Sequence, residues 1–235
     1  MEKSRFSISS SDKKLVISIL EKIKEKEGKD RSNKLAIISF DSFFDLLTQN
    51  EKKLVKRIQK INPRDYGFKG HYLGEQNIPK NLIVISNQKY KFEGKIKKIK
   101  NQYLPKKVFN AYIELNKALY KDSKKKLLIE SGYRSPAYQM IVFLMYFNFY
   151  KFNFLKTLKR VALPGYSEHS YPQKQAVDFI TTEGIPQDGS SLDFAETNEY
   201  KWLLKNAHRF GFYQSYPYPN KLGIIFESWH WQFRK

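Results

Sequence analysis

The fold is decided by the segment Glu227-Ser228-Trp229-His230-Trp231-Gln232-Phe233. It combines the alternating pattern of a β-strand with a glutamate and a histidine, two side chains that can take part in catalysis. Side chains alternate between the two faces of a strand, so Trp229 and Trp231 point away from the face that His230 occupies. Glu227 stands where this strand begins, three positions before the histidine. The segment therefore predicts a strand that shelters an imidazole and brings a carboxylate close to it.

Short apolar runs upstream predict the partners of this strand, and longer periodic runs predict helices between them. The pattern favours many small elements over a few long ones, and it shows no internal repeat. It predicts an α+β fold in which a small central antiparallel sheet is flanked by helices. The predicted strands are residues 81–86, 126–131, 173–180, 223–226 and 229–233, and the predicted helices are residues 108–119, a long aromatic helix from about residue 137, and residues 199–209.

The first quarter of the chain is charged and has helical periodicity. Apolar residues at helical spacing predict one helix around residues 16–23 and another over residues 41–61, which Asn62-Pro63 ends. We therefore predict a helical N-terminal extension, residues 1–62, followed by a domain of residues 63–235 that carries the chemistry.

Composition limits the classes of partner and of site. The 235 residues carry a formal charge of +20, from 43 Lys and Arg against 23 Asp and Glu, which favours polyanionic partners. The lysines are scattered along the chain, which is typical of solvent-exposed surfaces. A dedicated nucleic-acid groove is therefore not expected. With no cysteine, disulfides and thiolate metal sites are excluded. No apolar run approaches the ~18 residues of a membrane-spanning helix.

Two further segments add ligand-type side chains to His230. His169 follows a loop sequence, and Asp178 lies in an apolar strand, where a carboxylate is costly to bury unless it has a partner. Each residue alone has an ordinary interpretation: a core histidine bonded to a carbonyl, or an aspartate paired with a lysine or arginine. Together, two imidazoles and a carboxylate form the ligand set of a catalytic zinc site, with Glu227 left over to take a proton from water.

Arg134 is the remaining candidate, since it follows a predicted strand in the turn Gly132-Tyr133-Arg134-Ser135-Pro136. A guanidinium in that position suits a free carboxylate or a developing oxyanion. The alternatives are capping of the following helix and an ion pair with Glu130.

Together these blocks resemble the bacterial zinc D-alanyl-D-alanine carboxypeptidases, the vancomycin-resistance Y-type family of DD- and LD-carboxypeptidases within the group of lysostaphin-type peptidases and hedgehog domains. The resemblance covers roughly residues 80–233. It is carried by Ser131-Gly132-Tyr133-Arg134-Ser135 with Gln139, Pro164-Gly165-Tyr166-Ser167-Glu168-His169, Ala176-Val177-Asp178-Phe179, Trp202-Leu203, Asn206-Ala207, Phe210-Gly211-Phe212 and Glu227-Ser228-Trp229-His230-Trp231.

The resemblance implies a role for each candidate. Glu227 would be the general base, and Arg134 would stabilise the polarised carbonyl of the bond that is cleaved. One zinc ion would be the cofactor. The implied zinc ligands are His169, Asp178 and His230, and the implied substrate contacts are Ser167, Gln139 and Tyr133.

The family removes the C-terminal D-alanine from peptidoglycan stem peptides, so the expected partners are those peptides, with anionic wall polymers as a further candidate and nucleic acid not expected. We expect a monomer in the cell envelope. Residues 1–20 show no signal-peptide pattern, which fits either a cytoplasmic protein or a mature chain whose leader is not present. Two alternatives stay open: a zinc endopeptidase of the same fold, and a basic binding module without activity.

One feature departs from the family pattern. Eight residues, 170–177, separate His169 from Asp178, where the family usually has six with a glycine midway. Pro172 favours a turn that takes up the extra length. We therefore expect the insertion to reshape the substrate cleft beside the metal and to leave the metal ligands in place.

Overall fold

A computed structural model describes residues 6–30, 32–186 and 191–235. Residues 1–5 and 31 of the predicted N-terminal extension lie outside the described residues. The described helices are α1 (Ser10–Lys29), α2 (Phe40–Phe44), α3 (Gln49–Gln59), α4 (Lys106–Ser123), α5 (Pro136–Phe149), α6 (Phe154–Leu158), α7 (Ser191–Glu196) and α8 (Asn198–Asn206). The described strands are β1 (Leu82–Ile85), β2 (Lys89–Phe92), β3 (Lys95–Lys98), β4 (Gln102–Pro105), β5 (Leu127–Ser131), β6 (Ala176–Thr181), β7 (Phe212–Gln214) and β8 (His230–Phe233).

The largest described sheet is a four-stranded antiparallel sheet with the strand order β5-β6-β8-β7. Asp178 on β6 lies directly opposite His230 on β8. Opposite residues of an antiparallel pair share a face, so the register alone places these two side chains together. Val177 and Trp231, the next pair, enter the apolar core on the other face. The α+β class with a small antiparallel sheet, predicted from the sequence, is confirmed.

The predicted strand over residues 223–226 is wrong. These residues follow the loop after β7 and form no strand. Gly223 has a φ of 79°, a left-handed conformation that ordinary strand residues do not adopt. The amide of Ile225 donates to the carbonyl of Lys159 at 3.1 Å and so is not used in a sheet. This segment therefore forms an irregular connection that leads to Glu227.

The turn after β5 is held from two sides. The amide of Tyr133 donates to the carbonyl of Tyr103 at 2.7 Å, and the amide of Arg134 donates to the carbonyl of His169 at 3.1 Å. At Gly132 a Cβ atom would lie 2.4 Å from the carbonyl oxygen of Tyr103, closer than any side chain tolerates. Glycine is therefore required for the close approach that ties this turn to β4 and to the segment of His169.

The two largest apolar clusters among the described residues lie on either side of the site, and a third, small cluster joins Ala36, Tyr103 and Tyr133. One lies beneath the four-stranded sheet, where α4 and α8 pack against β5, β6 and β8. The other joins α1, α2 and α3 to α5, so residues from the predicted extension share a core with residues of the following domain. Its fully buried members include Val16, Ile19, Phe43, Phe143 and Phe147. The domain boundary after residue 62 stays a prediction. Apolar side chains from before and after this boundary pack together in one cluster.

Two smaller antiparallel pairs, β1 with β4 and β2 with β3, lie before α4. The β2–β3 hairpin is rich in lysine, and every residue of β3 is exposed. Over the part of the chain that the structure describes, no helix combines the length and the apolar character needed to cross a bilayer.

Candidate active site

Three ligand-type side chains converge at one end of β6 and β8. The nearest donor atoms of His169, Asp178 and His230 all lie within 4.8 Å of one another, and all three residues are buried. Nε2 of His169 is 3.2 Å from Oδ2 of Asp178, and Nδ1 of His230 is 2.9 Å from Oδ1 of Asp178. His169 comes from the short helical turn Glu168–Ser170, which closes the loop before β6. The structure thus brings the three predicted ligands together.

Hydrogen bonds behind each imidazole determine which nitrogen faces the group. Nδ1 of His169 is 2.8 Å from the carbonyl oxygen of Gly132 and donates to it, which leaves Nε2 directed at Asp178. Nε2 of His230 is 3.0 Å from Oε2 of Glu168, which leaves Nδ1 directed at Asp178. Such outer partners fix the orientation and tautomer of metal-binding histidines. Nothing in the sequence pattern assigns a role to Glu168, although it directly precedes a predicted ligand.

The electrostatics favour positive charge between the ligands. Burial and the nearby Arg134 guanidinium lower the pKa of His169 to about 4, so this ring is neutral at neutral pH. Burial lowers the pKa of His230, but hydrogen bonds to Asp178 and Glu168 outweigh burial and raise it to about 10. Burial raises the pKa of Asp178, yet the two histidines hold it well below its usual range. At neutral pH Asp178 is thus ionised, and the neighbouring carboxylates stabilise a positive charge at His230.

These observations fit a divalent metal ion. The donor set of two imidazole nitrogens and one carboxylate oxygen is that of a catalytic zinc site. Each histidine has its second nitrogen satisfied by a protein oxygen. A cation between the three donors would take the place of the proton that His230 otherwise shares with Asp178.

Glu227 lies beside this group without belonging to it. Its Oε2 is 3.8 Å from Nδ1 of His230, and its Oε1 is 3.4 Å from Nη1 of Arg160. Burial raises its pKa to about 7; Asp178 acts in the same direction, whereas His230 and Arg160 oppose the rise. A carboxyl group with a pKa near neutrality is suited to accepting a proton and returning it.

Arg134 is held in place by three oxygen acceptors. Nε donates to Oγ of Ser131 at 2.8 Å, Nη1 to Oε1 of Gln139 at 3.4 Å and Nη2 to Oδ2 of Asp178 at 3.0 Å. The helix cap that sequence left as an alternative role is made by Ser135, whose Oγ accepts from the amide of Tyr138. Arg134 therefore points at the ligand group.

A cavity of about 280 Å³ opens over these residues. Its lining includes the three predicted substrate contacts, Ser167, Gln139 and Tyr133. Tyr133 is fully buried, and its hydroxyl has no hydrogen-bond partner among the described residues. Asn33 and Ala36 also line the cavity, so the N-terminal region contributes to its wall.

The other two histidines lie elsewhere. His71 and His208 are both exposed, and neither belongs to the ligand group. This agrees with their lack of any chemical setting in the sequence.

Comparisons with known proteins point in one direction. Residues 101–235 match the family model described as VanY, D-alanyl-D-alanine carboxypeptidase. A D-alanyl-D-alanine carboxypeptidase of Enterococcus faecalis is 40% identical over 76 residues, which cover 31% of this chain and 24% of that protein. The putative carboxypeptidase YodJ of Bacillus subtilis is 29% identical over 193 residues, which cover 79% of this chain and 61% of that protein. This chain thus spans less than two thirds of the length of either relative.

A solved structure is also similar. The LdcB LD-carboxypeptidase, whose structure was reported to reveal the molecular basis of peptidoglycan recognition, superposes with a TM-score of 0.55 at 25% sequence identity. The superposition covers 74% of this chain and 79% of LdcB.

Proposed function

The chain belongs to the D-alanyl-D-alanine carboxypeptidase family of the VanY type, and from that membership we propose that it is a metal-dependent carboxypeptidase. Its substrates would be peptidoglycan stem peptides, from which it would release the C-terminal D-alanine. The observation that carries the proposal is the convergence of His169, Asp178 and His230 beside a buried carboxylate, Glu227, that is not one of the ligands.

We assign one zinc ion to the ligand group. His169 would bind it through Nε2, His230 through Nδ1 and Asp178 through its carboxylate, the atoms that already face one another. Zinc supplies Lewis acidity, which makes water a usable nucleophile at neutral pH.

Glu227 would act as the general base. It is buried 3.8 Å from Nδ1 of His230, so it would take a proton from the attacking water and then deliver it to the nitrogen of the departing D-alanine. The same carboxyl group serves both steps, so it ends the cycle in the state in which it began.

Arg134 would donate hydrogen bonds to the oxygen that gains negative charge during attack. Ser131 and Gln139 hold its guanidinium, so little reorganisation is needed at the moment of reaction. Ser167, Gln139 and Tyr133 line the same cavity and would contact the peptide.

The bond cleaved is proposed on the basis of the relatives. The E. faecalis relative is a D-alanyl-D-alanine carboxypeptidase, and the structurally similar LdcB is an LD-carboxypeptidase. Either bond releases the same amino acid, and either substrate would place the protein at the cell envelope. The charge of +20 would favour its approach to anionic wall polymers there, and we propose that it acts as a monomer.

The direct test is release of D-alanine from purified muropeptides. We expect zinc-loaded protein to release it, a chelator to stop release, and Glu227→Gln to reduce the rate by at least 100-fold. Glu21→Gln, which changes an exposed carboxylate on α1, is the matched control and should leave the rate unchanged.

Analysis of the reaction products and of DNA binding distinguishes the carboxypeptidase from the two alternative functions. Two peptide fragments in place of a free amino acid would indicate an endopeptidase. If metal-loaded protein releases nothing and instead binds DNA tightly with strong salt dependence, it is a basic binding module and not a peptidase.

A further inference from the structure

The loop that carries Glu227 forms no strand, and its last residue, Trp229, is held to β6 because its carbonyl accepts from the amide of Phe179 at 3.0 Å. Residues 215–229 lie between β7 and β8 and include no strand. One backbone bond joins the amide of Glu227 to the carbonyl of Tyr216 at 3.2 Å, within the same loop. Another joins the amide of Ile225 to the carbonyl of Lys159 at 3.1 Å. The second bond attaches the loop to the segment that immediately follows α6.

Arg160, the next residue in that segment, reaches into the site. Its Nη1 lies 3.4 Å from Oε1 of Glu227, and its guanidinium carbon lies 5.0 Å from the centre of the Trp229 ring. The same guanidinium carbon lies 6.0 Å from the centre of the Tyr146 ring. The side chains of Arg160 and Glu227 are only 13% and 11% exposed. Arg160 thus contacts the carboxylate of Glu227 and the ring of the residue two positions later.

Burial of an arginine without a partner is unfavourable. The carboxylate of Glu227 and the ring of Trp229 are therefore the contacts that stabilise Arg160 in this position. The other guanidinium of the cavity, Arg134, is directed at Asp178 and not at Glu227. Displacement of a reacting group by ~1 Å can reduce the rate by roughly 100-fold. The rate of the reaction should therefore depend strongly on how the irregular loop orients the carboxylate of Glu227.

We propose that Arg160 is a positioning residue that holds the loop of residues 224–229 and aims the carboxylate of Glu227 at the metal ligands. The proposal rests on the function proposed above, in which Glu227 is the general base. Arg160 contacts the carboxylate of Glu227 and none of the three proposed metal ligands, so it would act through Glu227.

The kinetic test compares Arg160→Gln with Arg160→Lys on a D-alanine-releasing peptide. We expect Arg160→Gln to lower kcat by about 10- to 100-fold, the range for loss of a hydrogen bond to a charged group, with KM changed less than about threefold. Arg160→Lys keeps the charge and should recover most of the lost rate. Lys156→Gln, an exposed cation on α6, is the matched control and should not change kcat. A rise in KM with unchanged kcat would overturn the proposal, because Arg160 would then bind substrate.

A double variant separates positioning of Glu227 from general support of the fold. In a Glu227→Gln background no carboxylate remains to be aimed, so adding Arg160→Gln should alter the residual rate less than about twofold. An equal loss in both backgrounds would mean that Arg160 acts independently of Glu227.

Hydrogen exchange tests the same contact without relying on activity. We expect the amides of residues 224–229 to exchange faster in zinc-loaded Arg160→Gln than in the wild type, while those of β5 are unchanged. Unchanged exchange in residues 224–229 would overturn the proposal. If the wild type releases no D-alanine and exchange still rises, the proposed function fails and the role of Arg160 in holding the loop stands.

Discussion

His230 is held from both sides: its Nε2 lies 3.0 Å from Oε2 of Glu168, and its Nδ1 lies 2.9 Å from Oδ1 of Asp178. Asp178 is its neighbour across the β6–β8 ladder, whereas Glu168 comes from the helical turn that also carries His169. Glu168 itself accepts a hydrogen bond from Oγ of Ser215. The turn therefore contributes one proposed ligand and the residue that orients another.

From this relationship we expect Glu168→Gln to weaken zinc binding by about 10- to 100-fold, the usual effect of losing the partner behind a metal-binding histidine. The amide lacks the charge that favours a donating Nε2–H on His230, so Nδ1 becomes a poorer ligand. Competition with a chromophoric chelator measures the affinity. Glu21→Gln on the surface of α1 should bind zinc like the wild type. Unaltered affinity in Glu168→Gln would show that Asp178 and the sheet alone orient the ring.

Zinc should also stabilise the folded protein, because the three ligands converge only after folding. At a free zinc concentration of 100 times Kd, linkage predicts about 2.7 kcal/mol of added stability, seen as a higher Tm. His230→Ala should abolish the zinc-dependent rise, and His208→Ala, at an exposed histidine, should keep it. An equal rise in both variants would place the bound zinc at a site other than the one proposed.

The part of the site carried by the sheet can be predicted from the sequence. Alternation in residues 229–233 gives the face of His230, and an aspartate in the apolar run around Asp178 is costly without a partner. Register then pairs Asp178 with His230. The four histidines are few enough that a convergent pair is a usable signal. The fold class follows from the same strands and from the helices between them.

The contacts around Glu227 could not be predicted in this way. Arg160 and Glu227 are 67 positions apart and meet through irregular segments, for which no periodicity gives a register. One arginine among 43 basic residues carries no signal of its own. The apolar residues 223–226 have the composition of a strand, but the left-handed φ of Gly223 and the bond from Ile225 to Lys159 show that they form an irregular connection. Glu168 is different from Arg160 in this respect, because it directly precedes a predicted metal ligand. A carboxylate in that position can be tested in other sequences as the hydrogen-bond partner of a second ligand.

Acid should weaken the packing of α1 against α3 through Glu51. This carboxylate is 2% exposed, and it accepts hydrogen bonds from Nζ of Lys22 at 2.6 Å, the amide of Thr48 at 2.6 Å and Oγ of Ser18 at 2.8 Å. Burial raises its pKa, but these bonds outweigh burial and lower the pKa below the ordinary 4.5. A lowered pKa in the folded state means that the stabilisation is complete above pH 4.5 and is lost as the pH falls through the lowered value.

We therefore expect Glu51→Gln to cost about 1–3 kcal/mol in the free energy of unfolding at pH 7, since a buried charged hydrogen-bond network is broken. The difference from the wild type should shrink as the pH falls below 4.5, because the unfolded carboxyl is protonated first and the folded carboxyl follows at its lowered pKa. Urea unfolding at pH 7 and at pH 3.5 measures both values, with Glu21→Gln as the exposed control. A difference that stays constant with pH would mean that the ionised form of Glu51 does not matter.

The N-terminal helices should be required for folding, even though sequence alone marks them as an extension. Phe143 and Phe147 on α5 are fully buried in the cluster that α1 and α2 complete. The amide and Oγ of Ser135 also donate to the carbonyls of Ala36 and Ile38 at 2.8 and 2.6 Å, beside Arg134. Removal of residues 1–62 would expose a contiguous apolar surface and release this turn.

A fragment of residues 63–235 should accordingly aggregate or lack a cooperative unfolding transition. A milder pair of variants on α1 tests the same packing in the full chain. Ile19→Ala, at a fully buried position, should cost about 2–5 kcal/mol, whereas Ile17→Ala, 42% exposed on the same helix, should cost less than about 0.5 kcal/mol. Urea unfolding followed by tryptophan fluorescence measures both. If the fragment folds with the wild-type Tm and binds zinc, residues 1–62 are a dispensable appendage, and the shared core contributes little to the stability of the site.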